Sequence, residues 1–102
     1  MKRFIARRNL MYALKGSNIK IEFSIGICSP FKELGDYKDI INNDDFYGCT
    51  IMFSGINEPE EVVYGMDSLQ AINLASNVEA ILTRLSKKYD IFWSTGEPYF
   101  DE

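Results

Sequence analysis

Residues 19–27 (IKIEFSIGI) set Ile19, Ile21, Phe23, Ile25 and Ile27 against Lys20, Glu22, Ser24 and Gly26. One apolar and one wet face at period two predict a half-buried strand. Residues 3–14 alternate in the same sense. Phe4, Ala6, Leu10, Tyr12 and Leu14 share a face on which Arg8 is the exception, and Gly16, Ser17 and Asn18 supply a turn between the two runs. Together they predict an antiparallel hairpin. Residues 46–54 (FYGCTIMFS) are apolar, β-branched and aromatic, GINEP breaks the run, and residues 60–64 (EEVVY) return as a short second strand before Gly65. That is a second hairpin.

From residue 67 to residue 89 the period changes to 3.6. Leu69, Ile72, Ala75, Val78, Leu82 and Leu85 form a stripe widened by Ala71, Leu74 and Ile81. The spacing predicts one amphipathic helix of about six turns, with Lys87 and Lys88 near the end its dipole makes negative. A last short strand follows at residues 91–94 (IFWS). The order β-β-loop-β-β-α-β predicts an α+β, two-layer sandwich, with an antiparallel sheet of about five strands packed on one long C-terminal helix. Ile21, Phe23 and Ile25 are the surface expected beneath the stripe. Residues 28–45 read as a long loop with a short helical turn near 31–34 or 37–41, and residues 95–102 as an acidic tail.

Length sets the domain count. A chain of 102 residues fits one domain, 1–102, and 46% hydrophobic residues suit a packed globule. Arg3, Arg7 and Arg8 interrupt the apolar run of any secretory leader, and no stretch reaches the roughly 20 apolar residues that span a bilayer. A soluble cytoplasmic protein without membrane contact is expected. Cys28 and Cys49 form no CxxC pair and the chain has no histidine, which excludes histidine-dependent triads and imidazole zinc sites. The two thiols are expected to be reduced and buried.

The formal net charge is −4, unevenly spread. The first twenty residues carry only basic charge, whereas residues 21–62 are dominated by acids. An acidic face suits a basic protein partner, and nucleic acid is disfavoured because no basic cluster interleaves with aromatics. Asp36, Asp39, Asp44, Asp45, Glu60 and Glu61 are the candidate partner-binding acids, with Trp93 and Tyr99 as candidate aromatic anchors. The acids lack the calcium-loop pattern, and the chain lacks both GxGxxG and GxxxxGK[ST]. No metal, cofactor or catalytic residue is assigned. A short edge strand at residues 91–94 leaves a homodimer open.

Residues 65–69 read GMDSL, which resembles the site at which carrier proteins receive phosphopantetheine on serine, here Ser68. That resemblance implies a helical bundle, whereas the sixty preceding residues read as strands. The same residues also read as a helix start: Asp67 as N-cap, Gln70 three residues on as in a capping box, and Gly65 at the sharp turn. Together with residues 46–55, the stretch YGMDSLQAINLA resembles a family of small uncharacterised bacterial domains. The resemblance rests on Cys49, Gly55, residues 65–71 and Trp93, and departs at Phe46-Tyr47-Gly48, where a tryptophan is expected before the cysteine. It implies a fold and no activity. The expected function is a small non-enzymatic protein-binding domain, of adaptor or immunity type, with an acidic surface. The alternatives are a carrier modified on Ser68, or an enzyme using carboxylates from residues 36–45 and 58–61.

Overall fold

The computed structural model describes residues 2–33 and 46–100. Among them the elements run β1 Phe4–Leu14, β2 Ile21–Cys28, β3 Phe31–Glu33, β4 Phe46–Ser54, β5 Glu61–Gly65, α1 Ser68–Ser76, α2 Glu79–Leu85 and β6 Tyr89–Trp93. The strands make one antiparallel sheet, with both helices on one face.

The expected loop 28–45 contains a strand. Instead of a helical turn near residues 31–34, Phe31–Glu33 pairs with β4, and the alternative turn near 37–41 lies outside the described residues. β2 and β3 lie end to end along the same side of β4, because Ile27 faces Ile51 and Phe31 faces Gly48, while β5 takes the opposite side through Ile51–Glu61 and Gly48–Tyr64. The register slips by one residue between β2 and β3, at Ser29-Pro30. Pro30 has no N–H to give a ladder, so it sits where the ladder breaks. Across the sheet the order is β5, β4, β2 with β3, β1, β6.

β1 and β2 pair as the expected hairpin, with Leu10 opposite Phe23 and Tyr12 opposite Ile21. Two details differ from the alternation. β2 begins at Ile21, and both Ile19 and Ile21 are exposed, so the helix-facing surface is Phe23, Ile25 and Ile27. In β1 the register shifts between Phe4 and Ala6, so Phe4 does not share the face of Leu10 and Tyr12. A slip of one residue moves a side chain to the other face.

The single long helix is two short ones. α1 stops at Ser76, Asn77 caps it in a non-helical conformation, and α2 begins at Glu79. The Ser76 hydroxyl donates to the Asn73 carbonyl at 3.0 Å, and such side chains compete with the helical ladder. The break re-aims the stripe: α1 lies over β2, β4 and β5, and α2 lies against β6. Two short helices follow the twist of the sheet better than one straight rod. Ala71, Ala75, Val78, Ile81, Leu82 and Leu85 are buried against Leu10, Phe23, Ile25, Ile27, Cys49, Ile51 and Ile91. Leu69 is 78% exposed and Leu74 is exposed too, so neither belongs to the stripe.

Candidate functional site

The two edges of the sheet separate the residues singled out in the sequence. Glu60 and Glu61 lie at β5, whereas Trp93 and Tyr99 lie at β6, across the full width of the sheet. Asp36, Asp39, Asp44 and Asp45 lie outside the described residues. The four described candidates therefore do not converge on one site.

At the β5 edge the acids are individually paired. Glu60 accepts from the Lys2 ammonium at 2.6 Å, Glu61 from the Arg84 guanidinium at 2.8 Å, and Glu58 from Lys88 at 2.8 Å. Those hydrogen bonds hold the Lys2, Arg84 and Lys88 pKa values above their ordinary ranges. The local charge is close to neutral, so residues 58–61 do not form an acidic rim by themselves. The Lys2–Glu60 and Arg84–Glu61 pairs are exposed and contribute little stability.

At the β6 edge the tail folds back. The Trp93 N–H donates to the Glu97 carbonyl at 2.8 Å, the Tyr99 N–H to the Ile91 carbonyl at 2.9 Å, and Phe92 bridges Pro98. The free edge expected at residues 91–94 is thus occupied by the chain itself. Tyr99 lies 4.5 Å from Trp93, ring centroid to centroid. Its hydroxyl donates to Glu79 at 2.6 Å and accepts from Arg8, which also bonds Glu79 at 2.7 Å. Hydrogen bonds from Tyr99 and then Arg8 hold the Glu79 carboxyl below its ordinary pKa, whereas burial and the bond to Glu79 push the Tyr99 phenol up. Arg8 is the charged residue that broke the apolar alternation of β1. Tyr99 is an intramolecular latch, and Trp93, 41% exposed, meets its ring at a tilt of 42°.

Ser68 opens α1. The Asp67 carboxylate accepts from the Gln70 N–H at 2.8 Å, and the Gln70 side-chain oxygen accepts from the Met66 N–H at 2.6 Å. This reciprocal cap accounts for Asp67 and Gln70. A Cβ on Gly65 would lie 2.6 Å from the Ala71 nitrogen, so only glycine lets the strand pass so close beneath the helix. The motif is built into a strand-to-helix turn rather than a helical bundle.

No group of three or more metal-ligating side chains occurs among the described residues. A groove of about 550 Å³ runs between the end of α2, β6 and the tail, and its acid, Asp90, is paired with Lys15 at 3.1 Å. Both cysteines are free and buried. Burial raises the pKa of each thiol, and the Cys49 Sγ donates to the Cys28 carbonyl at 3.3 Å.

The feature that sequence reasoning passed over is the sheet face away from the helices. The directly opposed residues Phe31, Gly48 and Tyr64 share it, as do Thr50 with Val62 and Met52 with Gly26 and Arg7. Two of its glycines are roofed by aromatic rings. A Cβ on Gly26 would lie 2.6 Å from Phe4 Cδ1, and one on Gly48 would lie 2.9 Å from two Phe31 ring carbons. The Arg7 guanidinium sits 5.7 Å from the Phe4 centroid, and Phe46 meets Tyr64 edge to face at 5.6 Å. Phe31, Val62 and Tyr64 remain 37%, 39% and 49% exposed, and no described helix or strand packs over them. A glycine inside a strand pattern signals close approach of another group, and Gly26 and Gly48 carried that signal.

No family model matches the chain, and no curated protein or solved structure matches it. No helix among the described residues is long and apolar enough to cross a membrane.

Proposed function

We propose that the chain is a small, non-enzymatic, cytoplasmic protein-binding domain of adaptor or immunity type. It meets its partner with the sheet face over which no described helix packs. The supporting observation is the apolar surface of Phe4, Phe31, Phe46, Val62 and Tyr64, in which the Phe4 and Phe31 rings lie over two strand glycines. Exposed apolar area of this kind on a small domain marks an interaction surface, and aromatic side chains supply a disproportionate share of binding energy. The partner is a protein with an apolar patch and net positive charge. Because the described acids and bases nearly balance, the excess acid of this −4 chain resides in residues 36–45 and 101–102, and it favours approach of a basic molecule. The likeness to small uncharacterised bacterial domains belongs to the same proposal.

The test begins with native mass spectrometry of the chain isolated from its own cells, which names any stoichiometric partner. Affinity for that partner is then measured for the wild type and for Phe31→Glu, across a salt series. The proposal expects Phe31→Glu to weaken binding about tenfold or more, with wild-type affinity falling as salt rises. Equal affinity of the two proteins would remove the aromatic face from the interface. A phosphopantetheine mass on Ser68 would replace this reading with the carrier alternative.

A further inference from the structure

The two edges of the sheet are managed differently. At β6 the tail occupies the outer side of the strand. At β5 no described strand lies beyond, and among the described residues β5 pairs with β4 alone. An exposed edge presents a row of unpaired N–H and C=O groups, and natural edges are blunted by prolines, lysines or bulges. β5 reads EVVYG and carries none of these devices. Its one charge, Glu61, is paired with Arg84. Val62 and Tyr64 are exposed, and Met66, one residue past the strand, is exposed as well.

The strand is also complementary to itself. When a second copy lies antiparallel about a two-fold axis through Val63, Val62 of each chain falls opposite Tyr64 of the other. Glu61 then falls opposite Gly65, so no acid meets an acid. Directly opposed β-branched and aromatic side chains are favourable cross-strand pairs, and opposed like charges are not. A five-residue pairing alone falls short of the roughly 1,200 Å² that a stable interface buries. Apolar Met66 beside the strand end and the aromatic face continuing from Tyr64 to Phe46 extend the contact.

We infer that the β5 edge is a homodimer interface in which two copies pair antiparallel about Val63, joining their sheets into one. This closed two-fold arrangement uses the same residues on both sides. The inference does not depend on the partner-binding role of the aromatic face. Val62 and Tyr64 serve both surfaces, whereas Phe31 lies on the far side of β4 from β5.

Sedimentation velocity across a dilution series, with wild type, Val62→Lys/Tyr64→Lys and Phe31→Glu, tests it. Expected are a wild-type mass twice that of the chain, a halved mass for the double-lysine variant with its circular dichroism unchanged, and a dimer for Phe31→Glu. Register is read by oxidation: a mixture of Val62→Cys and Tyr64→Cys proteins should cross-link, and neither should do so alone. A monomeric wild type overturns the inference. So does a dimer that survives both lysines, or a cross-link pattern that ignores the mixture. A monomer whose β5 amides become protected from exchange only with a different polypeptide bound assigns the edge to that polypeptide and also overturns it.

Discussion

Gly26 shows how tightly single positions are specified. A methyl group there would press on the Ala6 carbonyl and would lie 2.6 Å from the Phe4 ring and 2.7 Å from the Arg7 Cβ. Backbone cannot move aside as a side-chain tip can, so Gly26→Ala should cost about 1–3 kcal/mol in urea unfolding. At Gly48 the nearest obstacle is the Phe31 ring. Asp67 tests the start of α1. Its carboxylate satisfies the Gln70 N–H, so Asp67→Ala should lower stability by about 1 kcal/mol. Ser68→Ala should change neither the melt nor any mass beyond the substituted oxygen. Loss of a larger adduct on Ser68→Ala would show that the serine is an attachment site after all.

Among elements, the tail is held at β6 by a latch that titrates at both ends of the pH scale. The folded Glu79 pKa lies below the ordinary carboxylate value of 4.5, so its contribution is present above that value and is lost as pH falls through the folded pKa. The folded Tyr99 pKa lies above the phenol value of 10.0, so its contribution is present below 10.0 and fades as pH rises through the folded pKa. Trp93, the single tryptophan, contacts the Tyr99 ring and reports the docked tail. Its fluorescence should hold steady from pH 5 to pH 9, both inside the ordinary values of 4.5 and 10.0, and change outside them. Tyr99→Phe should blunt both changes, and identical profiles for the two proteins would exclude the latch. The elements themselves were mostly legible. Phe46–Ser54 has the bounds that its run of β-branched and aromatic residues gives, and the cap at Asp67 follows from its side chain. The break at Asn77 was not legible, because an apolar stripe with period 3.6 continues through it and masks the local competition from Ser76, which packing on a twisted sheet reinforces. The flip of Phe4 was hidden for a similar reason: a one-residue register shift leaves no mark in a run of alternating residues.

At the scale of the whole molecule, the two faces of the sheet carry different duties. One is closed by α1 and α2 over a continuous core. The other presents aromatic rings on a glycine floor. The sequence pointed to acids at residues 60–61 and aromatics at residues 93 and 99, and folding sets these at opposite edges with local partners. Their chemistry was readable, but their separation depends on the strand order. The aromatic face escaped notice because Phe4, Phe31, Phe46 and Tyr64 come from four strands, and only the pairing registers bring them together. The measurement that tests this account most directly is photocrosslinking in the protein's own cells, with a benzophenone side chain replacing either Phe31 on the face away from the described helices or Leu74 on the exposed side of α1. The account predicts a protein adduct from position 31, suppressed by Phe4→Glu, and little from position 74. Adducts from position 74 alone, or equal adducts from both, would contradict it.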